Sequence, residues 1–441
     1  MKKFSLRYGK GNVQFEIPEE EFLYEIIGED RPTLPDLTES YFHALDHPID
    51  SPPLKELIRP GDTVAITVSD ITRVWQKNAS TLSLLLDYLN KTGVPDQRIT
   101  VVIAVGNHRQ NTETEFVEIC SRAVCHRVKV VNHDARDTAN MVYLGKTSRG
   151  TEVSLNRIVV EADKVILTGG VIYHFMVGYG GGRKSVVPGV ASLKTIQQNH
   201  LWSLSPTLGG GSSDFCQNMI TRGNAQHEDM MEVAAFLRPD FLVNVVMNYQ
   251  DGIAGIFAGN WISAWLDATR LVDQMYCVRI RERADIAVSS AGGYPKDINL
   301  YQSQKTLDNT RYALKKGGVA IILAECPDIN EPSEFFKWFS YPDIYEQEKA
   351  LREDYDLPGW VALRQSECCR DYRVIVLTRP ENAEMARQAK VHPVSSIGEA
   401  LKLAREWCGR DRPRISILPF GANTFPFHSD NASCSESTLE R

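Results

Sequence analysis

The chain has 441 residues, a formal net charge of -7, 43% hydrophobic residues and 24% charged residues. That length exceeds one ordinary hydrophobic core and predicts two or three α/β-sized domains. The acidic balance without a long basic run argues against a nucleic-acid partner, and no apolar stretch approaches the ~20 residues of a membrane helix.

The opening "FSLRYGKGNVQFEI" reads as a hairpin around a Gly-Lys-Gly-Asn turn. The two lysines before it lead into no apolar segment, so a secretory leader is not expected there. "DTVAITVSDITR" (62–73) is the first β-branched run that ends in glycine or polar residues, and a helical pattern follows it. "RITVVIAVGNHR" (98–109) repeats the theme, with Thr112 as helix cap and Glu115 three residues on. "VKVVNHD" and "ADKVILTGGVIYH" continue the series, and after a polar, helical middle it restarts with "ADIAVSSAGGYPKD" (284–297), "GGVAIILAE" (317–325) and "YRVIVLT" (372–378).

Apolar runs alternating with helices predict parallel sheet covered on both faces. The expected class is α/β, with two α/β domains of mostly parallel sheet and the active site in the cleft between them. Residues 1–275 form the expected N-terminal domain and 276–426 the C-terminal one, with the late run "RISILPFGANTFP" (414–426) free to return to either. Residues 427–441 read as a polar, disordered tail. Nine cysteines without a C-x-x-C pair fit a reducing cytosol, so a cytoplasmic location is expected.

The strand ends carry the chemistry. Asp70 and Arg73 follow the first run, His108 and Arg109 the second, His174 the "VILTGG" run, and Tyr294 with Lys296 the restart. Ligands of open parallel sheets bind at the carboxyl ends of strands. Solvated loops account for Asp and Arg at such places, but account less well for two histidines. A pair of imidazoles can serve as opposed acid and base, taking a proton on one side and returning it on the other.

"HFMVGYGGGRKSVVPG" (174–189) suggests a phosphate-binding P-loop and fails as one. Arg183 stands where the pattern needs glycine, six residues separate the loop from its strand, and Pro188 falls where a helix should run. A glycine nest at Gly180, Gly181 and Gly182 with nearby cations remains an expected phosphate site. His200 is a lone histidine on a helical pattern; a metal there would need most of its ligands from something other than protein. Tyr301, Gln302 and Lys305 fall at i, i+1 and i+4 after a Gly-Gly-Tyr-Pro turn, so Tyr301 and Lys305 share a helix face, either as a shaped site or as a solvated surface.

"SDITR" (69–73), "GNHR" (106–109), "YHFMVGYGGGRKSVVPG" (173–189), the Asn-His pair at 199–200 and "GGYPKDINLYQSQK" (292–305) together resemble the nickel-dependent lactate racemase family. The resemblance implies a nickel-pincer nucleotide, attached covalently at Lys184 and ligated through His200. It implies that His108 and His174 are the two acid/base residues, that Asp70 and Arg73 hold cofactor or substrate, and that Tyr301, Gln302 and Lys305 line the substrate end. Trp360 is similar to a family tryptophan beside the cofactor. The implied reaction inverts C2 of a 2-hydroxy acid by proton-coupled hydride transfer, with cofactor-biosynthesis proteins as partners.

Lactate-acting members follow "SDITR" with a proline-containing segment, whereas this chain has "VWQ" (74–76). Trp75 and Gln76 at the substrate end therefore predict a larger or more polar acid, such as malate, an aryl-lactate or a sugar acid. Lactate itself and a non-catalytic nickel-nucleotide carrier are the competing expectations.

Overall fold

The computed structural model describes residues 1–428, so the rest of the expected tail, including Cys434, lies outside the described residues. The chain forms two compact units: Met1–Glu29, Ser203–Cys216 and Tyr276 onward make one, and Asp30–Trp202 with Gln217–Met275 make the other. One change of unit falls between Met275 and Tyr276, and the first 29 residues and 203–216 group with the C-terminal stretch rather than with the segments that follow them.

The cause is apolar patterning. The hairpin Lys2–Tyr8/Gly11–Ile17 turns at Gly9 and Lys10 and buries Phe4, Leu6, Phe15 and Ile17. Those side chains share a core with Ile286, Val288, Ile321, Ile375 and Ile417. Phe22–Glu25 then adds the edge strand of a six-stranded parallel sheet, in the order His392–Val394, Arg373–Leu377, Leu314–Leu323, Ala284–Ser290, Ile415–Leu418, Phe22–Glu25. The late run thus joins this C-terminal unit: Ile415–Leu418 lies inside its sheet, and Phe425–Phe427 pairs with Cys277–Arg279. Residues 203–216 are tied to the same unit by Glu348, which accepts from the Gly209 and Gly211 N–H groups, and by Arg364, which donates to the Ser212 hydroxyl.

The other unit is built on Val64–Ser69, Ile99–Ala104, Lys129–Asn132, Lys164–Gly170, Phe241–Met247 and Ile253–Gly259. Its spatial order is 253–259, 241–247, 164–170, 64–69, 99–104, 129–132, all parallel except the first strand named. In chain order that is six, five, four, one, two, three: a doubly wound sheet whose order reverses between Val64–Ser69 and Lys164–Gly170. At such a reversal the flanking loops part to opposite faces and leave a crevice beyond the carboxyl ends. A helix covers one face of the sheet because that face is apolar: Val64, Ile66, Val68, Val101 and Ile103 pack with Leu82, Leu85, Leu86 and Leu89 of the helix Asn78–Lys91.

Among the described residues the cysteines are free thiols, and no helix is long and apolar enough to cross a membrane.

Candidate active site

Three neighbouring strands meet the reversal. Val64–Ser69 ends in Asp70, Ile99–Ala104 runs on to His108, and Lys164–Gly170 leads into a two-residue hairpin whose first arm is Tyr173–His174.

Asp70 and His108 form a dyad, with His108 Nδ1 2.7 Å from Asp70 Oδ2. The other carboxylate oxygen accepts from the Thr72 hydroxyl at 2.6 Å. Asp70 is only 5% exposed. Burial pushes its carboxyl up, but the His108 hydrogen bond and charge, then Arg73 and Thr72, outweigh that and hold it below the usual carboxylate range. An ionised Asp70 fixes the Nδ1–H tautomer and leaves His108 Nε2 as a proton acceptor. Gly106 makes the bend feasible: its φ is +61°, its N–H donates to the Gly189 carbonyl at 3.0 Å, and a Cβ there would come within 3.1 Å of Pro188. Arg109 is taken up elsewhere, gripped by both oxygens of Glu115, which also closes the capping box with Thr112.

Asp70→Asn is expected to lower kcat about 10–100-fold while leaving the fold intact, because the amide no longer dictates the imidazole tautomer. Steady-state kinetics across pH 6–9, beside a thermal melt, check this.

His174 Nε2 lies 2.8 Å from Lys184 Nζ, while the Met176 N–H donates to Nδ1 at 3.3 Å. The sequence therefore brings its second candidate base and its candidate tether into direct contact. His200 sits in the last turn of Leu193–Leu201, and its Nδ1–H donates to the Ile196 carbonyl at 2.8 Å, which places the ring's lone pair on Nε2. Burial, then the Lys184 charge, push His200 down to about 4 against that hydrogen bond. His200 is thus neutral near pH 7, the form that ligates metal.

The glycines do not build the expected phosphate nest. The Gly180 N–H donates to the Ile172 carbonyl and the Gly182 N–H to Asn244 Oδ1, at 2.7 and 2.9 Å. Gly181 and Gly182 have φ of +67° and +54°, and a Cβ would fall 2.7 Å from Asn244 Oδ1 at one and 2.8 Å from the Trp265 ring at the other. These positions are glycine for close packing. Arg183, 1% exposed, belongs to the same packing: it donates to the Val177 carbonyl at 2.8 Å and stacks on Trp265 at 4.2 Å. The segment Gly182–Ser185 is a single 3-10 turn, which confirms that no P-loop helix starts here.

Two further expectations are corrected. The half-buried Trp75 packs with Val245, Met247 and Ile253 and against Gly170, so its ring is spent on the core. Trp360 is 0% exposed, donates from Nε1 to the Ser203 carbonyl at 3.2 Å, and presents no ring face to a ligand. Gln76 is different: it is 4% exposed beside Gly169 and Gly170, and its Oε1 has no hydrogen-bond partner. In the C-terminal unit, Tyr301, Gln302 and Lys305 are half-buried on the helix Leu300–Thr310, where Lys305 Nζ donates to Gln302 Oε1 at 2.9 Å and Tyr301 meets Phe335 edge-on. Sequence reasoning missed Asn244, whose amide joins the Gly169 carbonyl to the Gly182 N–H. A single polar residue inside the otherwise apolar strand "FLVNVVM" was its signal.

Comparison with known proteins follows the same outline. The chain matches the lactate racemase N-terminal domain model over residues 8–210 and the lactate racemase C-terminal domain model over 280–425. It is 31% identical to a lactate racemase of Thermoanaerobacterium thermosaccharolyticum, covering 96% of this chain and 99% of that one. It is 28% identical to a lactate racemase of Lactiplantibacillus plantarum, again over 96% and 99%. The solved lactate racemase apoprotein from T. thermosaccharolyticum superposes with a TM-score of 0.88 at 30% identity, covering 97% of this chain and all of that one. A Thermotoga maritima protein shares the fold alone, with a TM-score of 0.65 at 18% identity. The protein is therefore an enzyme of the isomerase class, a racemase by its relatives. The chain belongs to the lactate racemase family.

Proposed function

We propose that the chain inverts C2 of a 2-hydroxy acid that is larger or more polar than lactate, such as malate, an aryl-lactate or a sugar acid. The observation that supports the reaction is a pair of imidazoles carried beyond the ends of the two strands that flank Val64–Ser69 at the sheet reversal, one of them braced by a carboxylate. His108 Nε2 takes the hydroxyl proton on one side, with Asp70 holding Nδ1–H and stabilising the cation that forms. His174 exchanges the proton on the other side. Arg73, whose charge acts on Asp70, supplies a cation for the substrate carboxylate.

The chemistry of His200 and Lys184 supports a nickel-pincer nucleotide, although Gly180 and Gly182 spend their N–H groups within the protein. Among the described residues no group of three or more His, Cys, Asp or Glu could hold a metal ion, so an ion here needs a cofactor that brings its own donors. His200 Nε2 would complete such a donor set and Lys184 would tether it. When bound, that group would supply the carbon that accepts and returns the Cα hydride.

The substrate reading rests on Gln76. A buried amide oxygen without a partner is costly, and a polar group on the ligand would satisfy it. A panel of single-enantiomer 2-hydroxy acids tests this: faster turnover of a polar or bulky acid than of lactate is expected, and exclusive lactate racemisation refutes it. Intact-mass analysis of chain produced in a cofactor-making host is expected to show an adduct that maps to the Lys184 peptide. Active protein with unmodified Lys184 refutes the covalent tether.

A further inference from the structure

We propose that Asp273 is a positioning residue for His174, acting as a carboxylate clamp on the two tyrosines of the hairpin that carries it. This rests on the reading in which His174 exchanges a proton with substrate. The hairpin has arms of two residues, Tyr173–His174 and Gly178–Tyr179, with Tyr173 directly opposite Tyr179 and His174 opposite Gly178. Strands this short do not hold their own register. Both tyrosine hydroxyls donate to one carboxylate: Tyr173 to Asp273 Oδ1 at 2.8 Å, and Tyr179 to both oxygens at 2.8 Å. The two rings lie 5.6 Å apart, so the clamp closes both arms at the level of the residue before His174.

The same helix, Ser263–Tyr276, holds the far end of the segment. Eight residues earlier, about 12 Å along the axis, Trp265 donates from Nε1 to the Gly180 carbonyl at 2.9 Å and stacks on Arg183. Arg183 in turn holds the Val177 carbonyl in the hairpin turn. Asp273 pins the arms, and Trp265 with Arg183 pins the turn and the exit. Lys184, which touches His174, follows directly on Arg183.

The chemistry of Asp273 argues for a role beyond packing. Among the described residues its carboxylate enters no ion pair, and burial pushes it up to about 6 against the lowering effect of the Tyr179 and Tyr173 hydrogen bonds. An apolar side chain at that place would cost folding less than a buried carboxylate without a cation. What the carboxylate adds is direction: two acceptor oxygens hold two phenols in one geometry.

The test uses the full chain carrying its cofactor. Asp273→Ala is expected to lower kcat about 10–100-fold, with substrate KM within twofold and nickel content per chain unchanged, because a displacement on the order of 1 Å is enough for that loss. Asp273→Asn, which retains one acceptor, is expected to recover part of the rate. A folded Asp273→Ala chain with wild-type kcat, or a rate loss that only tracks lost nickel, overturns the proposal. If Asp273→Ala does not fold, the Tyr173→Phe/Tyr179→Phe double variant removes the same hydrogen bonds while keeping both rings, and an unchanged kcat there overturns it too. Nitrogen-15 NMR of the His174 imidazole in cofactor-free chain gives a readout without turnover. A displaced His174 signal in Asp273→Asn supports the clamp even if no 2-hydroxy acid is racemised, in which case the proposed function fails alone; an unmoved signal refutes the clamp.

Discussion

His174→Ala and His108→Ala are each expected to lower kcat/KM for the preferred 2-hydroxy acid by about 10²–10⁴-fold, the usual worth of a positioned general acid or base. For a pair of enantiomers the loss must be equal from either side. The two forms have the same free energy, so the ratio of the two kcat/KM values stays at unity in every variant, whichever imidazole is missing. A residue that merely oriented one enantiomer would be bound by the same ratio, so the size of the loss and its non-additivity are the informative quantities. Two groups that serve one proton-exchange cycle act as a unit, and the double variant should be little worse than either single one. Chiral chromatography from each pure enantiomer, with nickel content measured on the same samples, reads both quantities. A loss below about tenfold in either single variant at saturating cofactor would remove that imidazole from the acid/base role.

The strand ends that place these residues are legible because apolar runs give way to polar residues there: Asp70 follows Ser69, and "IAVGN" leads to His108. The unit to which a segment belongs is less so. The alternation in Phe4, Leu6, Phe15 and Ile17 says that one hairpin face must be covered, but Ile286 and Ile417, which cover it, lie more than 250 residues away. The glycine run misleads for a related reason. Close packing against Trp265 and a positive φ demand the same residue as an anion nest, and only the destinations of the Gly180 and Gly182 N–H groups tell the two apart. Trp75 stands beside a motif in sequence while its half-buried ring packs against a core, and Trp360 is fully buried. Asp273 and Trp265 were not legible at all, since a lone acid and a lone tryptophan on an amphipathic helix read as surface and core.

Acidification is expected to destabilise the unit that carries the site, with His227 as a main cause. Its ring stacks on Trp265 at 5.6 Å, on the helix that anchors the glycine segment, and its Nδ1 is buried without a hydrogen-bond partner. Burial, and then the nearby Arg183 charge, push it from 6.5 down to about 2. In the window between those values the unfolded chain binds a proton that the folded chain does not, so stability rises with pH and is lost as pH falls. The slope is about 1.4 kcal/mol per pH unit for one such group. From pH 6.5 to 4.5 the cost from His227 alone is therefore about 2–3 kcal/mol, and the buried His133, also pushed down by burial, adds in the same direction. His227→Phe keeps a ring against Trp265 and removes both the proton acceptor and the orphaned nitrogen. Urea unfolding of the cofactor-free chain between pH 4.5 and 7 should then show a pH slope shallower by about one proton, and higher stability at every pH in that range. Parallel curves for the variant and the parent chain would show that His227 gains its proton without unfolding, and that the Arg183–Trp265 stack tolerates a second charge beside it.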